Sequence, residues 1–218
     1  MIAQEFSTFF AGLSQNNSKA WFDEHRKDYE NHAKKPFIAL LDKIIPQLSA
    51  IEPGISMNPK DALFRINRDI RFSADKTPYN TLMKAGFSPG GKKSFLPGYY
   101  LGIGAESLHM GGGLFNVKPP EVKAVRDLIA DEMDEFNGII KSASFKSAFG
   151  ELSGDKAKRL DKRHQEVLER CPEIANKQFY AMTKVPLKGW LGKEGLDKEV
   201  MKYFLEISKL NKFLNQAF

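Results

Sequence analysis

The chain has 218 residues, of which 42% are hydrophobic and 28% are charged, and its single cysteine is Cys171. These values are ordinary for a folded globular protein. They exclude disordered, collagen-like and low-complexity chains, an internal disulfide and a cysteine-rich zinc site. The net charge of +6 permits binding to nucleic acid, an anionic membrane or a phosphorylated ligand without choosing among them.

The first fifty residues predict helices. Apolar side chains at positions i, i+3, i+4 and i+7 within residues 2–13 predict one face of a short amphipathic helix. A second helical pattern covers about residues 18–50, with a bend or break expected near Pro36. Glu5 interrupts the apolar residues of the N-terminus, which lacks a basic region. No signal peptide and no membrane span are therefore expected, and a cytoplasmic location follows.

The middle of the chain predicts a sheet. Within LFRINRDIRF, residues 63–72, apolar and polar side chains alternate as in a half-buried strand. The sequence GYYLGIGAESLHM, residues 98–110, predicts a β-hairpin with its turn near residues 104–106. We therefore expect a small antiparallel sheet within about residues 57–118.

Helices dominate the remainder of the chain. Pro119 opens one helix, a short helix is expected at residues 136–142, and a long closing helix at 196–214. A short strand is expected at residues 178–183. The order of helices, then strands, then helices predicts an α+β fold in which N-terminal and C-terminal helices pack on a central antiparallel sheet, all in one domain, residues 1–218.

The most unusual stretch is FRINRDIRFSADKTPYN, residues 64–80, which holds three arginines within seven residues. The planar guanidinium group presents a fork of donors that matches a phosphate or carboxylate. On a strand, Arg65, Asp69 and Arg71 would share one face, where the aspartate would orient two forks toward an anion. The leading prediction is therefore a small phosphate-bearing ligand. The candidate ligand-binding residues are Arg65, Arg68, Asp69, Arg71, Lys76 and Tyr79.

Two alternatives remain open. In one, the protein is structural or binds other proteins, and the arginines and aspartates form an internal salt-bridge lattice. In the other, the protein binds nucleic acid through its basic surface, including the five cationic residues between Lys156 and Arg163. No cofactor or metal is expected, because His25 and His32 are two helical turns apart and no metal-ligand spacing occurs. No motif supports a named reaction.

The run Gly111-Gly112-Gly113 has two interpretations. Backbone N–H groups of a glycine-rich loop can hold phosphate, but neither a Walker sequence nor a dinucleotide fingerprint is present. Glycines in a strand more often permit a bulge or the close packing of a neighbouring element. We expect the packing role unless the run lies beside Arg65 and Arg71.

The run FRINRDIRFSADKTPYN resembles the core signature F-R-I-x-R-D-x-R-F-S-x-D-K-x-P-Y-K of a widespread family of conserved proteins of unknown function. Residues 16–30, NNSKAWFDEHRKDYE, resemble the opening of that family, and residues 98–121 resemble its hairpin and glycine run. Asn80 stands where the signature has lysine, and His109 has no counterpart in the pattern. The resemblance implies a compact α+β fold and implies no activity.

Overall fold

A computed structural model describes residues 1–218. It contains a four-stranded antiparallel sheet in which the strands lie side by side in chain order. The strands are β1 (Leu82–Phe87), β2 (Gly98–Gly104), β3 (Ser107–Leu114) and β4 (Phe179–Pro186). The helices are α1 (Gln4–Gln15), α2 (Lys19–Glu24), α3 (Arg26–Asp28), α4 (Lys35–Ile51), α5 (Pro59–Ala62), α6 (Pro119–Asp131), α7 (Met133–Ile140), α8 (Ala143–Phe149), α9 (Lys162–Val167) and α10 (Leu196–Asn215).

The predicted α+β fold is confirmed, and α10 lies at its centre. This helix packs across β2 and β3 and also contacts α4, α7 and α8. Its Phe204 ring meets the rings of Phe87 in β1 and Tyr99 in β2, with centroids 5.7 and 5.2 Å apart. One face of the sheet is therefore part of the hydrophobic core.

The N-terminal helical region breaks earlier than its sequence predicts. The first helix is confirmed. The expected helix at residues 18–50 is interrupted at His25, after which helical turns resume as α3, a π-helical turn at Tyr29–Lys34, and α4. The turn adds a residue to the helical repeat and leaves both Tyr29 and Ala33 buried. Pro36 causes no break, because it lies in the first turn of α4, where its missing N–H has no helical partner.

The arginine-rich segment at residues 63–72 is not a strand, which corrects the prediction. It meets the edge of β1 through one isolated bridge between Leu63 and Ala85. A second bridge, between Asn67 and Tyr79, joins the two ends of a loop that contains Arg68 and Arg71. The alternation of apolar and polar residues therefore arises in an irregular segment lying against the sheet edge, without a ladder of hydrogen bonds.

The sheet also extends beyond the predicted limits of residues 57–118, because β4 comes from much later in the chain. The sequence predicts a strand near these residues but does not assign it to the sheet. β4 lies antiparallel to β3 along its whole length, with Leu114 opposite Phe179 and Ser107 opposite Pro186. The hairpin of β2 and β3, with its turn at residues 105–106, is as predicted.

Glycine lets β3 approach its neighbours closely. A Cβ atom on Gly111 would overlap the backbone oxygen of Ala181 in β4. Gly113 has φ +118°, a conformation that side chains rarely adopt, and a Cβ there would overlap the backbone of the same strand. The glycine run thus has the packing role.

We expect Gly111→Ala to lower the free energy of unfolding by about 1–3 kcal/mol, because the added methyl group must push β4 away. The matched control is Gly138→Ala in α7, where a Cβ would meet nothing within 4 Å. That change should stabilise the protein by up to about 1 kcal/mol through helix propensity. Urea denaturation measures both values, and an equal effect of the two substitutions would contradict the close-packing interpretation.

Candidate functional site

A cleft with a volume of about 870 Å³ lies on the face of the sheet opposite α10. The register places Lys84, Gly102, His109 and Lys184 in one row across the four strands on this face. The volume is within the usual range of pockets for small molecules. Every residue of the cleft wall comes from a strand or a loop, and none comes from a helix.

The charged side chains of the cleft are mainly cationic. Arg65, Arg68, Lys84 and Lys92 line it together with one acidic residue, Asp69. No carboxylate of the chain forms an ion pair with Arg65, Lys84 or Lys92. Asp75 pairs with Arg68, and Asp69 pairs with Arg71. The cleft therefore carries positive charge that the protein itself does not neutralise.

Lys84 lies on a strand of the sheet, whereas the other cations of the cleft wall come from loops. It is half-buried on the cleft face of β1, and its Nζ donates a hydrogen bond to Asn80 Oδ1 at 2.6 Å. Burial lowers the pKa of Lys84, and repulsion from Arg68 lowers it further. A nearby anion would favour the charged form of this lysine, which the protein alone disfavours.

Arg68 holds its own loop together. Its guanidinium group donates to Asp75 Oδ2 at 2.5 Å, to Thr77 O at 3.1 Å, to Thr77 Oγ1, and to Ser73 Oγ at 3.3 Å. The backbone N–H of Thr77, the hydroxyl of the same residue and then Arg68 hold the pKa of Asp75 below its usual range. Most donors of Arg68 are occupied by the loop, so its surroundings match the salt-bridge alternative.

Asp69 and Arg71 form a forked pair at the rim. Arg71 Nε and Nη2 donate to the two carboxylate oxygens at 2.9 and 2.7 Å, and the arginine does not line the cleft. Hydrogen bonds from Arg71 lower the pKa of Asp69, and the charge of Arg65 contributes to the same shift. Arg71 therefore binds the only carboxylate of the cleft wall and leaves Arg65 without a carboxylate partner.

The other two predicted site residues lie outside the cleft wall. Lys76 donates from Nζ to the backbone oxygen of Ile70 at 3.0 Å, which fastens the loop. Tyr79 is buried, and its ring stacks on Phe22 with centroids 4.1 Å apart. The structure thus brings three of the six predicted residues, Arg65, Arg68 and Asp69, to the cleft.

Several cleft residues had no signal in the sequence that marked them as functional. Lys84 and Lys92 are ordinary lysines of a strand and a loop, and only the folded sheet places them beside Arg65. Gly112 and Gly113 also line the cleft, but at the end of the strands away from Lys84 and Arg65, and Arg71 does not line it. The glycine run therefore does not lie beside Arg65 and Arg71, and its expected packing role stands.

His109 lies on the cleft floor in β3. Its Nε2 is 3.0 Å from Ser107 Oγ on the same face of the strand. Burial lowers the pKa of His109, and the charge of Lys184 lowers it further.

No group of three or more His, Cys, Asp or Glu side chains is placed to hold a metal ion. None of the helices combines the length and the apolar character that crossing a membrane requires.

The basic tract of residues 156–163 is partly neutralised. Arg163 pairs with Asp131 and lies 3.7 Å from Asp127. Lys156 donates to the backbone oxygen of Pro172 at 3.0 Å. The tract is therefore tied to the surrounding loops and helix α6.

We expect Arg68→Ala to lower the free energy of unfolding by about 1–3 kcal/mol, because it leaves the acceptors of loop 68–77 without their shared donor. Arg71→Ala, which removes the same charge from an exposed position, should leave stability unchanged within error. Urea denaturation of both variants measures the difference. A larger loss for Arg71→Ala would contradict the assignment of Arg68 as the residue that holds the loop.

His109 should make stability depend on pH in the acidic range. Because its folded-state pKa lies below the ordinary 6.5, the unfolded chain binds more protons between these two values, and stability falls as the pH decreases below 6.5. His109→Gln should flatten this decline in melting temperature between pH 8 and 5, whereas the exposed His32→Gln should not. Parallel profiles for His109→Gln and the parent would contradict the shift.

Nearly the whole chain matches one protein family. The match covers residues 5–213, and the family is described as Conserved hypothetical protein (DUF2461). No curated protein matches the chain. The description names no activity, so the function rests on the site itself. The resemblance to a widespread family of unknown function is confirmed: the chain belongs to the conserved hypothetical protein family DUF2461.

Proposed function

We propose that this protein binds a small phosphate-bearing anion in the cleft, through Arg65 and Lys84 with Lys92 at the rim. One observation carries the proposal: these three cations share a concave wall, and no carboxylate of the chain pairs with any of them. Cations gathered in a partly desolvated cleft raise the free energy of the empty protein, and an anion relieves that cost.

The three cations would contribute to anion binding in different ways. Arg65 presents an exposed guanidinium fork that can bind two phosphate oxygens at once. Lys84 is half-buried, so its attraction for an anion is less weakened by water. The Nζ of Lys92 donates to the backbone oxygen of Leu63 at 2.6 Å, above the Phe64 ring, and its remaining donors are available to a ligand.

The remaining predicted residues support this arrangement. Arg68 fixes the loop that follows Arg65, and Arg71 keeps Asp69 bound at the rim. Both act through other residues and hold the cleft wall in shape. Lys76 closes the loop on itself through Ile70, and Tyr79 attaches the end of the loop to the helical core through Phe22. We propose binding and assign no reaction.

Calorimetric titration with inorganic pyrophosphate tests the proposal. Arg65→Ala and Lys84→Met should each weaken binding at least about tenfold, since each removes a charge-assisted contact. Lys84→Met should also leave the melting temperature unchanged or higher, because it removes an uncompensated charge. The matched control is Lys93→Met, an exposed neighbour of Lys92 outside the cleft wall, which should bind pyrophosphate like the parent.

The same titrations separate the alternatives. Equal losses in Lys93→Met and Lys84→Met would mean that pyrophosphate responds to net charge, and the cleft proposal would then fail. Failure of the parent to bind pyrophosphate at low salt would also overturn it. The nucleic-acid alternative predicts that the affinity for short single-stranded RNA rises steeply as the salt concentration falls. It also predicts that Arg159→Ala, in the basic tract, lowers that affinity.

A further inference from the structure

Aromatic rings gather at one end of the cleft, away from most of its cations. Phe95, Phe115 and Tyr180 line this end. Two other aromatic residues of the wall lie elsewhere: the Tyr100 ring extends over Gly102, and the Phe64 ring lies below Lys92. Phe95 and Phe115 are 51% and 63% exposed, far more than aromatic residues of a core. The Phe115 ring packs edge-on against the Tyr180 ring with centroids 5.0 Å apart. One face of this pair is available to a flat ligand ring.

The sheet register gives the separation between the two ends. Gly98, Gly113 and Tyr180 form one row across β2, β3 and β4. Phe95 lies shortly before Gly98 in the chain, and Phe115 lies shortly after Gly113. Both therefore lie at the end of the sheet where this row is found. Lys84 lies in a row four residues along β2, which corresponds to about 13 Å at the usual rise of a strand.

The cations lie toward the other end. The bridge between Leu63 and Ala85 runs antiparallel, so the chain moves away from the aromatic end as it proceeds to Arg65. Asn80 connects the two cations proposed to bind phosphate: its Nδ2 donates to Arg65 O at 3.4 Å, and its Oδ1 accepts from Lys84 Nζ at 2.6 Å. The cleft therefore has an aromatic end and a cationic end on the same floor of glycine-rich strands.

We propose that the ligand is a nucleoside 5′-phosphate, with its base against Phe115 and Tyr180 and its phosphate at Arg65 and Lys84. This inference rests on the anion site proposed above and specifies its ligand. A nucleotide joins a flat ring to an anion through a ribose. The exposed side chain of Arg65, which has no ion-pair partner, is long enough to extend toward the ring across part of the distance between the two rows. Stacking on aromatic rings tolerates every base, and the amide of Asn116, next to Phe115, can hydrogen-bond a base edge.

The shape of the cleft favours a single nucleotide over a nucleic-acid strand. A volume of about 870 Å³ encloses one small molecule. Proteins that bind single strands use an extended groove with successive rings and a basic track along the backbone. Here the rings and the charges are confined to one concavity, and the basic tract of residues 156–163 is absent from its wall.

Calorimetric titrations of the full chain with AMP, ribose 5-phosphate and adenosine test the inference. AMP should bind at least about tenfold more tightly than ribose 5-phosphate, which keeps the anion and lacks the ring. Phe115→Ala should remove most of that preference and leave the affinity for ribose 5-phosphate unchanged. Arg65→Ala should weaken both. Phe72→Ala, which truncates a ring that is 96% exposed and outside the cleft wall, serves as the matched control and should change neither.

Each contrary outcome identifies what fails. Equal affinities for AMP and ribose 5-phosphate would overturn the nucleotide and leave the anion site intact. Loss of AMP binding in Phe72→Ala to the same extent as in Phe115→Ala would overturn the assignment of the base site. An oligoadenylate that binds where AMP does not would replace the nucleotide with a nucleic-acid strand. Absence of binding to pyrophosphate and all three probes would overturn both proposals together.

Discussion

The packing of α10 on one face of the sheet is the constraint on which the rest of the structure depends. Phe204 and the neighbouring apolar residues of α10 bury the inner side chains of β2 and β3. No helix covers the opposite face, whose floor contains glycines that hold the strands close together and leave little side-chain volume. A one-sided sheet with a glycine-rich outer face thus produces a concave surface in the middle of the fold.

Unpaired positive charge in this concavity opposes folding. It stays unpaired because the nearby carboxylate is bound elsewhere. Burial and repulsion both disfavour the charged form of Lys84. A carboxylate beside Lys84 would remove this cost, but the only carboxylate of the cleft wall, Asp69, is bound by both donors of the Arg71 fork. The arrangement is costly for an empty protein and useful for one that binds an anion.

The sequence predicts individual helices and strands better than it predicts the long-range contacts between them. The hairpin of β2 and β3 and helix α10 follow local patterns, alternation in one case and helical periodicity in the other. The segment at residues 63–72 alternates too, yet it forms only two isolated bridges, one to β1 and one to Tyr79. The alternation does not show whether a continuous partner strand is available. Lys84 and Lys92 acquire their importance only from long-range contacts, which no local pattern records.

The three arginines of the signature show why their density alone does not define a binding site. Arg68 donates to its own loop, Arg71 binds Asp69, and Arg65 has no carboxylate partner and lines the cleft. The hydrogen bonds of Arg68 order residues 73–77, and Arg71 occupies the one carboxylate of the cleft wall, so no carboxylate is left to pair with Arg65. The two arginines that fit the salt-bridge alternative, Arg68 and Arg71, therefore lie in the same segment as Arg65, on which the ligand proposal rests.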